Sequence, residues 1–226
     1  MKGIVPLAGP DFERADGVKA TLPVDGEPLL RRALDRRAWR GALRNEDFVF
    51  VLRDSPRSRA FAETDLAAWY PGARRVYLST STQGAAFSTL AGLSLIAHHD
   101  EPISIDLADI LFTGGGAAID AFAAPNVGGA ALVFTSQDPR YSYLRRDATG
   151  RIVEAAEKRV ISDEASAGVY FFRSPDVLLQ SIAHSLRARA TLTFNGLFYV
   201  CPLFNGVLDQ GLDVVGVRVE GVRDVK

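Results

Sequence analysis

The chain has 226 residues, 47% of them hydrophobic and 23% charged, with a net charge of −1. That length supplies a full core for one large domain or two intimate subdomains, and that charge excludes a protein drawn to a polynucleotide by its overall field. The lone Cys201 excludes an intramolecular disulfide and a multi-cysteine zinc site, and no segment has the length of a membrane span or the pattern of a signal peptide, so a cytoplasmic protein is expected.

Met1 to Leu7 reads as a short buried strand that feeds a loop at Gly9 and Pro10. Pro28 opens a helix expected to run through Arg37, with Leu29, Leu30, Ala33 and Leu34 on one face. Strands are predicted over 48–52, 75–78 and 103–107, and helices over 58–69 and 84–97. To about residue 110, then, strands and helices alternate. That order argues for a parallel sheet covered by helices, with ligands beyond the carboxyl ends of its strands. The pattern then changes to strands joined by short turns, over 128–135, 141–146, 152–156 and 165–172, with a hairpin signal at Asp147 to Gly150. A helix over 175–186 and a strand over 214–219 follow, and Gly114 to Gly116 reads as a flexible joint.

Five segments carry chemistry. Residues 4–30, IVPLAGPDFERADGVKATLPVDGEPLL, run from a strand through a loop bearing Gly9, Arg14 and Lys19. Loop amides and a small residue admit nucleotide phosphates, and the cations offset charge that builds on pyrophosphate. Residues 81–86, STQGAA, place Gln83 and Gly84 between a strand and a helix, where Gly84 gives backbone access and Gln83 offers a donor and an acceptor. Thr82 as a helix N-cap accounts for the same segment. Residues 103–110, ISIDLADI, bring Asp106 and Asp109 to a strand end, and one acid there suffices for magnesium that also takes phosphate oxygens. Residues 154–159, EAAEKR, precede the strand ASAGVYFF at 165–172. Residues 195–205, NGLFYVCPLFN, complete the set, with Phe198 and Tyr199 also readable as core aromatics.

Together these motifs, in this order, resemble the sugar-phosphate nucleotidyltransferases, and the last resembles a capsule-type branch of them. The resemblance covers most of the chain. It implies a three-layer α/β/α nucleotidyltransferase fold, of the kind shared with GT-A enzymes, with a mixed, mainly parallel sheet. It also implies a single domain, 1–226, with a nucleotide-binding half to about 110 and an acceptor-binding half after it. By position, Leu7, Ala8 and Gly9 match the family's nucleotide loop, Arg14 its phosphate-loop arginine and Lys19 its catalytic lysine. Gln83 and Gly84 match the base-reading segment, and Asp109 the acid that binds magnesium. Glu157, Lys158 and Gly168 match residues that bind the acceptor's hydroxyls, its phosphate and its ring, with Tyr199 and Asn205 further acceptor candidates. A second metal acid is left open among Asp209, Asp213 and Asp224. Three departures stand out: Asp11 in place of the second loop glycine, Val18 in place of a proline, and Arg159 in place of another.

The activity implied is magnesium-dependent transfer of a nucleoside monophosphate from a triphosphate to a phosphorylated acceptor, a sugar phosphate first, with release of pyrophosphate. Its alternatives are a GT-A glycosyltransferase using a nucleotide sugar and a non-catalytic nucleotide-binding relative. Expected partners are the triphosphate and the small-molecule acceptor, without nucleic acid or membrane, and with room for a homo-oligomer. His98 and His99 are expected on the surface and His184 at a helix end, where it favours the dipole.

Overall fold

The computed structural model describes residues 1–96 and 100–225; the expectations for His98 and His99, and the Ala97 end of a predicted helix, lie outside them. The chain opens with β1 (Lys2–Pro6), whose Gly3, Ile4 and Val5 are buried, as suits a strand covered on both faces. Two small hairpins follow: β2 (Glu13–Arg14) with β3 (Gly17–Val18), and β4 (Pro23–Val24) with β5 (Glu27–Pro28). In the second, Asp25 and Gly26 take φ of 52° and 83°, which a two-residue hairpin turn requires. α1 (Leu29–Leu34) buries the apolar face read from the sequence but stops at Asp35, short of Arg37. Arg37 is instead drawn into the interior by a carboxylate, described below.

β6 (Phe48–Arg53) is apolar and buried along its first five residues. The single helix expected over 58–69 is two, α2 (Pro56–Glu63) and α3 (Asp65–Trp69), because Thr64 leaves helical geometry at φ −105° and ψ −87°. Ser55 starts α2 by accepting the Ser58 N–H at 3.1 Å, with Pro56 in the first turn where its missing N–H costs nothing. β7 (Arg74–Leu78), α4 (Ala85–Leu93) and β8 (Ile103–Asp106) finish the alternating half.

β9 (Ile110–Gly114) is a strand that periodicity did not reveal, and α5 (Ala117–Asp120) follows it. Next come β10 (Val127–Thr135), β11 (Ser142–Arg146), β12 (Ile152–Glu157) and β13 (Glu164–Phe172). The turn expected at Asp147 closes, with Gly150 N–H donating to the Asp147 carbonyl at 3.0 Å. α6 (Pro175–Arg187), α7 (Arg189–Leu192), α8 (Phe204–Asp209) and β14 (Asp213–Asp224) complete the order. α6 and α8 cross closely enough that a Cβ on Gly206 would lie 2.5 Å from the Ser181 Cα.

One sheet holds ten strands in the order β7-β6-β1-β8-β13-β10-β14-β9, with β11 and β12 attached through β13. β7, β6, β1 and β8 run parallel, β13 is antiparallel to its neighbours β8 and β10, and β14 is parallel to β10. β9 closes the far edge antiparallel to β14. The core has two parts, one containing Leu30, Phe61 and Tyr70 and the other containing Leu93, Leu178 and Phe204. Helices thus cover both faces, and the chain has the expected three-layer α/β/α fold with a mixed, mainly parallel sheet. Among the described residues no helix is long and apolar enough to cross a membrane.

Candidate active site

A cavity of about 460 Å³ opens beyond the carboxyl ends of β1 and β8, where open α/β sheets place their ligands. Its walls include Leu7, Ala8, Gly9, Lys19, Gly84, Asp109 and Tyr199, so most of the nucleotide and catalytic residues read from the sequence converge on it. Asp11, Ser81, Thr82 and Ser88 also face it.

The loop from Gly9 to Lys19 is pinned at Phe12, which is buried and meets the Phe61 ring edge-on at 5.9 Å. The Phe12 carbonyl accepts the Lys19 N–H at 2.7 Å, which sets the lysine at the cleft wall. Lys19 is only 7% exposed, and its Nζ lies 2.9 Å from Asp11 Oδ2 and 3.6 Å from Asp109 Oδ2. Burial alone would lower the Lys19 pKa; the Asp109 and Asp11 carboxylates outweigh it and raise the value, so the side chain remains a cation.

Asp109 sits on a tight turn between β8 and β9. Ala108 takes φ 56°, and its N–H donates to Asp106 Oδ1 at 2.8 Å. Asp106 does not reach the cleft. Arg37 grips it with two hydrogen bonds, Nε to Oδ2 at 2.7 Å and Nη2 to Oδ1 at 2.9 Å, and Nη2 also donates to the Ile110 carbonyl at 3.1 Å. The same guanidinium lies 4.0 Å from the centre of the Phe112 ring. Asp106 therefore supports the turn that presents Asp109.

Topology brings one of the three candidate acids, Asp224, to the turn that carries Asp109. β14 ends beside the same turn, with Asp224 opposite Ile110 and Val225 N–H donating to the Asp109 carbonyl at 2.9 Å. Tyr141 donates its hydroxyl to Asp224 Oδ2 at 3.1 Å; burial, then the nearby Asp224 charge, raises the tyrosine pKa. Asp209 instead lies 3.0 Å from His184, and Asp213 pairs with Arg151 at the opposite end of β14. The sequence concealed this because Glu220 and Arg223 interrupt the apolar alternation at which the final strand was expected to stop.

Gly84 begins α4 at φ 109°, a conformation that favours glycine, and a Cβ there would lie 2.8 Å from the Phe198 nitrogen. Phe198 N–H donates to the Gln83 carbonyl at 2.8 Å, and the Phe198 carbonyl accepts Ala86 N–H at 3.1 Å. The glycine thus lets a distant loop clamp onto the helix start, besides facing the cavity. Thr82 is not the N-cap: its hydroxyl bonds the Gly84 carbonyl at 3.0 Å and meets the Ser88 hydroxyl at 3.0 Å. The Gln83 side chain is exposed and off the cavity wall.

In the second half of the chain, Gly168 takes φ 74°, and a Cβ on it would be 3.7 Å from Asp109 Oδ1, so this glycine lies behind Asp109 without itself lining the cavity. Lys158 Nζ donates to the Tyr199 hydroxyl at 3.3 Å and stands 3.9 Å from Glu157. Glu157 accepts the Ser142 hydroxyl. Asn205 serves the fold: its amide accepts Ala155 N–H at 3.1 Å and donates to the Ala155 and Pro202 carbonyls, both at 2.8 Å. Arg14 lies on the exposed β2–β3 hairpin, 3.7 Å from Asp16 and away from the cavity wall. Cys201 is a buried thiol, its pKa pushed well up by burial.

Among the described residues no group of three or more His, Cys, Asp or Glu side chains is gathered for a metal. No protein-family model matches the chain, and no curated protein matches it. Solved structures do. A nucleoside-diphosphate-sugar pyrophosphorylase from Vibrio cholerae RC9 superposes with a TM-score of 0.80 at 18% identity, covering 100% of this chain and 95% of the other. A candidate glucose-1-phosphate thymidylyltransferase from Bacillus anthracis, solved with a sucrose, gives 0.73 at 17% identity, covering 99% and 89%. A UDP-glucose pyrophosphorylase in complex with UDP-glucose gives 0.69 at 14% identity, covering 97% and 90%. The fold is that of the nucleotidyltransferases.

Proposed function

We propose that the protein joins a nucleoside monophosphate from a triphosphate to a phosphorylated small molecule, a sugar phosphate being the first candidate, and releases pyrophosphate. The observation that supports this most is the convergence of the Gly9 loop, the Lys19 ammonium, Gly84 and Asp109 on one cavity at the strand ends. The structural neighbours named for pyrophosphorylase and thymidylyltransferase activity agree with it.

In this reading the acceptor's phosphate oxygen attacks the α-phosphorus in line. A new P–O bond forms, the bond to the bridging oxygen breaks, and pyrophosphate leaves with the electron pair. Lys19 neutralises charge that grows on the leaving group, and Lys158 with Tyr199 holds the acceptor phosphate. Such a reaction asks the protein for positioning and charge more than for covalent chemistry. The Asp109 carboxylate, on the turn after β8, and the Asp224 carboxylate, at the end of β14, are donors of the kind taken by magnesium, a hard cation content with one or two protein oxygens plus phosphate. Asp109 and Asp224 would hold it, and it would screen the phosphate charge.

A panel of four nucleoside triphosphates against sugar phosphates and phosphonates, read by pyrophosphate release, tests the proposal. Release with one pair supports it. No release with any pair rejects it, and release of free nucleoside diphosphate from nucleotide sugars would favour a glycosyltransferase.

A further inference from the structure

We infer that Asp11 is a tethered competitor for the phosphates of the ligand: its carboxylate holds the Lys19 ammonium until a polyphosphate displaces it. The inference rests on the reading of the cleft as a polyphosphate site, and concerns how that site discriminates.

Three observations carry it. First, the Asp11 carboxylate is laid across the loop where an anion would enter. Oδ2 is 2.9 Å from Lys19 Nζ, and Oδ1 lies 2.9 Å from the point where a side chain on Gly9 would begin. Its two oxygens thus span the loop glycine and the cleft lysine. Second, the backbone beneath it is fixed. Phe12 N–H donates to the Gly9 carbonyl at 3.2 Å, and Phe12 itself is locked in the core. Asp11 can therefore yield only by rotating its side chain, which is 66% exposed and has solvent to rotate into. Third, Lys19 has no such freedom, because its side chain is 9% exposed and Asp109 stands on its other side. The lysine stays in the cleft while its partner exchanges.

A carboxylate carries one negative charge and can be outcompeted by a ligand that carries several, such as a triphosphate with its metal. The same carboxylate reclaims Lys19 when pyrophosphate departs, so it weakens the hold on product as well as on substrate. Asp11 is in this sense a positioning residue that sets how much anionic charge is needed to occupy the cleft.

Calorimetry with inorganic tripolyphosphate, and separately pyrophosphate, in metal-free buffer tests this without requiring any turnover. A chain that releases no pyrophosphate in the substrate panel can still pass, and an active enzyme can still fail. Asp11→Asn, close in shape, should bind tripolyphosphate roughly fivefold more tightly than wild type, the scale of an exposed charge pair removed. Asp11→Gly should do the same. In a Lys19→Ala background the gain should vanish, since no ammonium remains to be released. Equal or weaker binding by both Asp11 variants overturns the inference. So does an equal gain without Lys19, which would mean a general loss of negative charge. If the Lys19→Ala protein binds too weakly to measure, a crystal structure of wild type with tripolyphosphate decides: an Asp11 carboxylate turned away from Nζ supports the inference, and a retained pair overturns it.

Discussion

Arg37 and Asp106 form a buried two-pronged pair, at 2.7 and 2.9 Å, directly beneath the turn that presents Asp109 to the cleft. Neither side chain reaches the cavity where the ligand is proposed to lie. Their part is to take a charge that sequence pattern alone assigns ambiguously and fix it as support.

The first expectation follows from that burial. Asp106→Ala leaves an uncompensated guanidinium inside the protein, and stability should fall by about 3–5 kcal/mol. Replacing both partners with apolar residues of similar volume, Arg37→Met with Asp106→Leu, should recover much of that loss. Urea unfolding of the three proteins measures it, and a single variant as unstable as expected beside an equally unstable double variant would contradict the electrostatic account.

Lys19→Ala separates a catalyst from a binder. In the proposed reaction the ammonium would stabilise charge that is larger in the transition state than in the bound substrate, so turnover should fall about a hundredfold or more, while nucleotide affinity changes much less. Single-turnover pyrophosphate release with parallel calorimetry gives both numbers. Equal, slow release from wild type and variant would leave only a binding module.

For the metal, the sparse donor set implies little binding until a triphosphate supplies more oxygens. Magnesium should raise nucleotide affinity in the wild type and raise it much less in Asp109→Asn or Asp224→Asn. An undiminished gain in Asp224→Asn would show that the end of β14 takes no part.

Gly84→Ala should damage the fold and the site together. It forces a side chain into a left-handed conformation against the Phe198 backbone, at a cost of about 1–3 kcal/mol for the strain alone. Hydrogen exchange should report faster opening of Ala86 N–H and Phe198 N–H, the two amides of the clamp.

Asp47 gives a pH signature. Its burial opposes ionisation, but hydrogen bonds from Lys2 at 2.6 Å and from the Arg44 backbone at 2.9 Å prevail and hold its carboxyl well below the usual carboxylate range. A depressed folded-state pKa means that the stabilisation is complete above the unfolded value, near 4, and is lost as pH falls toward the folded one. Asp47→Asn should therefore be about 1–3 kcal/mol less stable than wild type at pH 7, with the gap closing below about pH 4. A gap independent of pH would assign the loss to packing.

How far the sequence could be read depended on whether a feature was local. The alternation of strands and helices, the Gly9 loop and the strand ending near Asp109 are written in adjacent residues, and all were legible. β9 was not, because its four non-glycine residues, Ile110 to Thr113, show no clean alternation and end in a run of glycines that resembles a joint. The length of β14 was hidden by the charged residues Glu220, Arg223 and Asp224, on a stretch that pairs with β9. Arg37 illustrates the limit well: a helix propensity favoured continuing α1, and a carboxylate far along the chain prevailed. Asn205, read as a ligand residue, turns out to spend its amide on the backbone of β12 and of the turn before α8, contacts no local pattern could announce.

The placement of β14 also bears on when the site comes into being. The turn that presents Asp109 is finished only when Val225 hydrogen-bonds to it, and the loop that clamps Gly84 arrives with Phe198. Both belong to late stretches of the chain. The parallel strands and their helices lie in the early half, but the turn and the clamp are completed only when these later segments dock. Completion of the cleft is thus a long-range step, of the kind that slows folding, and the turn at Asp109 stays unfinished until it is made.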